Sequence, residues 1–171
     1  IRQSLVGSEM CIRDRVDSKY IKELIHIDDK VIEVLPTNQL GLEEKYYQKV
    51  PYENPTLEIG EVREDFFGRI YGTRSGDKGG CANLGVWAKT EDAYSFLFDF
   101  LTVKKLKELL PDLESFEIDR YELPNIFSLN FYVHGILQEG VSSSTRMDGQ
   151  AKSLGEYLRA KKINFPVQLL K

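Results

Sequence analysis

FFGRIYGTRSGDKGGCANLGVWAK, residues 66–89, is the stretch that decides the fold class. Its first eight residues are aromatic and β-branched, which predicts a strand over 66–73. RSGDKGGC, 74–81, holds three glycines in eight residues and predicts a Gly-rich turn. ANLGVWAK, 82–89, starts with small residues and predicts a second strand.

Downstream the hydrophobic period switches to helical. Ala93, Phe96, Leu97 and Phe100 share one helical face over 91–101. Thr102 suits an N-cap for a second helix with Val103, Leu106, Leu109 and Leu110 inward, and Pro111 stops it. Residues 115–123 alternate as a half-buried strand, and Pro124-Asn125 turns the chain. Phe127, Leu129, Phe131 and Val133 then line one face of a further strand, with Asn130, Tyr132 and His134 on the other. Residues 149–160 read as a helix with Ala151, Leu154, Tyr157 and Leu158 inward. NFPVQLL, 164–170, suits a short edge strand, where Pro166 is tolerated. The order β-β-α-α-β-β-α-β predicts an α+β, ferredoxin-like two-layer sandwich, its sheet covered by helices on one face.

Upstream the pattern is weaker. Tyr20, Ile21, Leu24 and Ile25 recur at helical spacing behind a possible Ser18 cap. Val31, Ile32, Val34 and Leu35 suit a short strand. Residues 36–55 read as a connection, and the acidic run 58–65 as a solvated linker. Segment 16–65 carries twelve Asp+Glu against six Lys+Arg, so the net charge of -4 originates there.

Composition excludes several classes. With 171 residues and a 42% hydrophobic fraction, the chain supports one globular domain, or a domain plus part of another. Two cysteines and no signal-peptide pattern argue against a disulfide-built secreted protein and place the expectation in the cytoplasm. No apolar run of about 18 residues is present, so no membrane is expected. Mild acidity gives no footprint for nucleic acid. No HxxxH, HExxH or CxxC spacing occurs, and neither a metal nor a cofactor is expected.

Residues 1–15, IRQSLVGSEMCIRDR, resemble from Ser4 to Arg15 the translation of a transposon adapter used in sequencing libraries. They are expected to be foreign and to stay outside fold reasoning. Met10 and Cys11 lie in that string, leaving Met147 as the other methionine and Cys81 as the other cysteine. The chain is therefore expected to be the C-terminal fragment of a longer one.

Two constellations could carry chemistry. In Arg74-Ser75-Gly76-Asp77-Lys78-Gly79-Gly80-Cys81-Ala82-Asn83, glycines at positive φ would let backbone N–H groups converge on an anion, with Arg74 and Lys78 adding charge. The same residues suit a hairpin turn held by Asp77 pairing with Arg74 or Lys78. In the segment from Ser142 to Lys152, Asp148 can cap a helix and pair with Lys152 at i,i+4. Alternatively, Arg146 and Lys152 join the Gly-rich turn in one polar pocket. Asn130 faces away from an apolar strand face and needs partners if covered. His134 shows no evident partner, and Cys81 is a nucleophile only where its surroundings favour the thiolate.

Taken in order, RSGDKG with ANLGV, RYELPN, SLNFYVHGIL and STRMDGQAKSLGEYL resemble the C-terminal domain of the acyclic terpene utilisation (AtuA-like) family over about residues 66–165. The matching positions are Arg74, Ser75, Gly76, Asp77, Lys78, Gly79, Asn83, Gly85, Glu122, Leu123, Pro124, Asn130, Phe131, Arg146, Asp148 and Lys152. The resemblance implies a ferredoxin-fold domain over 66–171 behind a large N-terminal domain of the same protein. Residues 16–65 would then be an acidic linker or that domain's tail. It further implies a link to breakdown of branched acyclic terpenoids such as citronellol through acyl-CoA thioesters. Two departures stand out. Gln138-Glu139-Gly140 replaces a Gly-Gly pair, and Cys81 replaces a residue that is more often polar.

These readings lead to an accessory domain whose Gly-rich turn binds a carboxylate or phosphate, with an acyl-CoA or carboxylate substrate as partner and a homo-oligomeric state. A purely structural or oligomerisation domain with internal ion pairs is the alternative. A hydrolase or isomerase using Asp77 and His134 is a third reading and requires those two in one pocket. Whether the domain is an enzyme stays open.

Overall fold

A computed structural model describes residues 20–34, 52–142 and 144–171. The chain divides into two compact units, residues 1–51 and 52–171.

In the first unit the described residues form an antiparallel hairpin, β1 (Glu23–Ile27) and β2 (Lys30–Val34), with Ile25 opposite Ile32. The expected helix over this stretch does not form. The β-branched residues Ile25, Ile27, Val31, Ile32 and Val34 favour extended backbone. Asp28 takes φ 51° in a two-residue turn, the left-handed conformation that a tight hairpin requires. The strand expected at 31–34 is β2, while Ser18 and Leu35 lie outside the described residues.

The described residues of the second unit carry six strands and three α-helices. β3 (Val62–Phe66) precedes β4 (Gly72–Lys78) and β5 (Cys81–Trp87). Helices α1 (Glu91–Phe100) and α2 (Val103–Leu109) follow, then β6 (Ile118–Leu123) and β7 (Ser128–Val133). Helix α3 (Leu154–Arg159) and β8 (Lys162–Pro166) close the chain. The main sheet runs β4-β5-β7-β6, every neighbour antiparallel, and β3 pairs with β8 separately. This is the expected α+β, ferredoxin-like architecture, with helices on one face of the sheet.

Strand alternation sorts the main sheet into two faces. Ala82, Leu84 and Val86 on β5, with Leu129, Phe131 and Val133 on β7, are fully buried and join Tyr94, Leu97, Leu106, Leu154 and Leu158 in one core. Both predicted helical faces are inward, and the two helices are capped as their sequences ask. Thr90 Oγ1 accepts from the Ala93 N–H at 3.3 Å, and Thr102 Oγ1 from the Lys105 N–H at 3.1 Å.

Four local expectations change. The strand expected at 66–73 is instead a 3-10 turn, Phe67–Arg69, followed by the start of β4. Phe67 and Tyr71 are both buried, with ring centroids 4.8 Å apart, and the Tyr71 hydroxyl donates to Ala93 O at 2.9 Å. The turn brings the two rings into contact, whereas an extended strand would leave residues four apart on one face but about 13 Å from each other. The acidic linker contains β3, whose Glu64 meets Lys162 of β8 at 3.3 Å. The last helix starts only at Leu154, because Ala151 takes φ 52° and ends any helical path from 149. Tyr157 is accordingly exposed, not inward. The final segment is strand only to Pro166, and Val167–Leu170 is a 3-10 turn.

Candidate functional site

The Gly-rich motif is mostly strand. Residues 74–78 pair in register with 81–85, from Arg74 opposite Gly85 to Lys78 opposite Cys81. Only Gly79 takes positive φ, 64°, and makes the tight reversal. The expected nest of convergent N–H groups does not form, because N–H groups along an extended strand point alternately to opposite sides. Charge at this site comes from side chains.

β4 is an edge strand of the main sheet, and α3 is docked against it. Ser75 lies on the helix-covered face, opposite Leu84. Its Oγ accepts from the Gly155 N–H at 2.9 Å and donates to Lys152 O at 3.1 Å. The contact is close: a Cβ added at Gly155 would meet Thr73 Oγ1 at 2.9 Å. The segment before α3 is shaped by Asp148, whose carboxylate accepts from the N–H groups of Lys152 and Ser153 at 2.8 and 2.9 Å and from Ser153 Oγ at 2.7 Å. Asp148 thus organises the turn before α3 and not its first helical turn: the N-cap position is Ser153, without a side-chain cap hydrogen bond, and among the described residues Asp148 forms no ion pair with Lys152.

These contacts bring Lys152 beside the motif. One groove of about 430 Å³ is lined by Arg74, Ser75, Gly76, Asp77, Lys78, Asn83, Gly85 and Lys152. Three cations and one carboxylate share it. The expected pairing of Asp77 with Arg74 or Lys78 does not occur among the described residues. The Lys78 ammonium instead donates to the Asp77 backbone carbonyl at 2.8 Å. Asn83 Nδ2 donates to Asn130 Oδ1 at 3.3 Å on the outer face, which gives Asn130 the partner its position asked for. Gly79 forms the turn beside the groove and does not line it.

Arg146 is elsewhere. With Asp148 it lines a second depression of about 330 Å³, together with Asp112, Met147, Ser153, Leu154 and Tyr157. The pocket expected to combine Arg146 and Lys152 is therefore two depressions. The Asp148 turn folds the chain so that Lys152 comes to the β4 side and Arg146 does not.

His134 does have a partner, which sequence reading missed. Its Nε2 lies 2.8 Å from Asp119 Oδ2, and the Tyr121 hydroxyl donates to the same oxygen at 3.4 Å. The Tyr132 ring stands edge-on to the imidazole at 4.9 Å. The Gly135 N–H donates to Cys81 Sγ at 3.4 Å. The nearby Cys81 sulfur holds the Tyr132 hydroxyl above the ordinary tyrosine range, with desolvation adding to the effect. Alternation along 115–123 assigns Asp119 and Tyr121 to one face, but only the strand register places that face beside His134. Asp77 belongs to the opposite face, opposite buried Ala82, so the register does not bring Asp77 and His134 together.

An antiparallel sheet with helices on one face and a polar edge groove defines this unit as a ferredoxin-like α+β domain. The AtuA ferredoxin-like domain family matches residues 68–164, more than half of the chain, and the chain belongs to that family. No curated protein and no solved structure matches the chain. Among the described residues no helix is long and apolar enough to cross a membrane, and no three His, Cys, Asp or Glu side chains are grouped to hold a metal ion.

Proposed function

We propose that this domain binds an anionic group, a carboxylate or a phosphate, in the groove along β4. It would do so as the accessory domain of a larger protein acting on branched acyclic terpenoids or related acyl-CoA thioesters. The observation that carries the reading is the unpaired charge of the groove. Arg74, Lys78 and Lys152 converge with a single carboxylate, Asp77, and none of the four forms an ion pair among the described residues. Cations without ion-pair partners among the described residues, gathered around one concavity, favour an incoming anion, because charge-assisted hydrogen bonds are the strong polar contacts on offer. The amide of Asn83 adds neutral donors. The internal ion pairs that a purely structural domain would use are not found among these four residues.

A second reading, assembly, is favoured by the outer face of the sheet. Trp87, Tyr121 and Leu123 lie on that face, and all three are exposed. A covering subunit or domain would bury them.

Calorimetric titration separates the ligands. Inorganic phosphate, a short dicarboxylate, coenzyme A and an acyl-CoA are each titrated into wild type, Arg74→Ala and Lys152→Ala. Binding of one class, weakened about tenfold by either substitution and falling with added salt, supports the groove. Silence with all four, or identical curves for the three proteins, removes it. Light scattering tests assembly: a monomer at high concentration leaves the second reading without support.

A further inference from the structure

Two glycines of the β4 groove are not explained by the fold. Among the described residues, four glycines lie within strands or α-helices: Gly72 and Gly76 on β4, Gly85 on β5 and Gly155 on α3. Packing fixes two of them. A Cβ at Gly72 would stand 2.2 Å from the Trp87 indole, and one at Gly155 would stand 2.9 Å from Thr73 Oγ1. Gly76 and Gly85 differ. Neither takes positive φ. An added Cβ would find its nearest atom at 4.0 Å at Gly76 and at 3.6 Å at Gly85, ordinary van der Waals distances. Glycine weakens a strand interior, so its use where a side chain fits marks a place that a ligand or another backbone approaches closely. Both residues line the groove with its three cations and Asp77.

The strand register gives their surroundings. Gly85 stands between Arg74 of β4 and Asn130 of β7, and Gly76 stands opposite Asn83. The two glycines are therefore diagonal neighbours on the outer face, about 7–8 Å apart, and leave a floor of bare backbone. Groups suited to a planar ring border it. A guanidinium such as that of Arg74 stacks on aromatic faces. The Asn83–Asn130 hydrogen bond uses one donor and one acceptor, which leaves Asn83 Oδ1 and Asn130 Nδ2 for the polar edge of a ligand. Charge completes the description. Three cations less one carboxylate leave the groove at +2. A phosphomonoester carries about −1.5 to −2 near neutral pH and matches this charge better than a single carboxylate does.

We infer that the groove takes a purine nucleotide, with the base laid on the Gly76–Gly85 floor against Arg74 and the phosphate held by Lys78 and Lys152. The inference rests on the reading of the groove as an anion site and adds the planar half of the ligand. Gly76 and Gly85 are then specificity-determining residues: a side chain at either lifts the base off the backbone and leaves the phosphate contacts in place. A free nucleotide and a nucleotide-bearing coenzyme share this chemistry.

Calorimetry on the full chain compares AMP, coenzyme A and ribose 5-phosphate, which has the sugar and phosphate of AMP without the base. AMP or coenzyme A is expected to bind wild type about tenfold tighter than ribose 5-phosphate, the scale of one stacked base. Tighter AMP indicates the free nucleotide and tighter coenzyme A the coenzyme; either supports the inference. Gly85→Val and the milder Gly85→Ala, each with unchanged circular dichroism, are expected to lose that preference, valine more fully, while binding ribose 5-phosphate as wild type does. Ribose 5-phosphate that binds as tightly as AMP and coenzyme A overturns the inference and leaves the anion reading standing. So does a folded Gly85→Val that keeps the full preference, or a dicarboxylate that binds where all three phosphates are silent. Silence with all four overturns both.

Discussion

Ser75→Ala tests whether the groove is built by the docking of α3 on β4. The hydroxyl makes two bonds, one from the Gly155 N–H at 2.9 Å and one to Lys152 O at 3.1 Å. They are not equivalent. Lys152 is exposed, and water can replace the hydroxyl at its carbonyl at little cost. Gly155 is buried, and its N–H belongs to the first helical turn, which has no intrahelical acceptor. The void left by one oxygen atom is too small to admit water. Leaving that donor unsatisfied costs about 1–3 kcal/mol, so about 2 kcal/mol is expected for the substitution. With a urea dependence of about 2 kcal/mol per molar, the unfolding midpoint falls by about 1 M. Trp87, the single tryptophan, sits at the end of β5 and reports this transition by fluorescence. Ser144→Ala is the comparison, since its Oγ accepts one N–H at 3.3 Å in a surface loop, and about 0.5 kcal/mol is expected. A Ser75→Ala midpoint no lower than that of Ser144→Ala refutes the reasoning. It would mean that α3 holds its place, and Lys152 with it, without the Ser75 bridge.

Two further outcomes follow from packing and burial. A Cβ at Gly80 would stand 1.9 Å from the Gln138 carbonyl oxygen, a backbone atom that cannot rotate away, whereas at Gly76 the nearest atom is Asn83 Oδ1 at 4.0 Å. Gly80→Ala is therefore expected to cost about 2–3 kcal/mol and Gly76→Ala under about 1 kcal/mol; equal urea midpoints for the two would contradict the close approach. Burial pushes the Tyr94 hydroxyl up to about 12, with Tyr52 and Glu122 adding to the shift, and burial raises Tyr71 further still. An unfolded tyrosine titrates near pH 10, so the native preference for the neutral phenol is fully present below about pH 10 and is lost as pH rises from there through about 12. Stability falls across that window, and Tyr94→Phe, which also removes a buried hydroxyl without a partner, flattens the fall. Parallel midpoint-versus-pH curves for the two proteins would refute this.

Much of the domain is legible in the residues. The period-3.6 faces of α1 and α2, the Thr102 cap, the alternating β7 and the two-layer α+β class all follow from local pattern. Local pattern failed where burial overrode it. Phe67 and Tyr71 read as strand residues, but both reach the core through a turn. Residues 20–27 carry a helical spacing, yet their β-branched side chains and the Asp28 turn make a hairpin. β3 hides in an acidic run, because its pairing with β8 spans about a hundred residues of chain and leaves no local trace.

The site divides along the same line. Sequence alone singled out Arg74, Ser75, Gly76, Asp77, Lys78 and Asn83, since two bases and a cluster of glycines in a short stretch mark a polar turn chemically, and Lys152 from a second polar segment. It also marked Asp148, whose contacts lie within five residues, but as a helix cap, where the structure makes it the organiser of the turn before α3. Which of these residues share a concavity was decided by tertiary structure alone. The Ser75–Gly155 bridge joins residues 80 positions apart, and it selects Lys152 for the β4 groove while Arg146 lines another depression. The neighbours of His134 are likewise a matter of register. Alternation tells which side chains share a face of one strand, but only strand pairing sets Asp119 beside the imidazole that Tyr132 stands against.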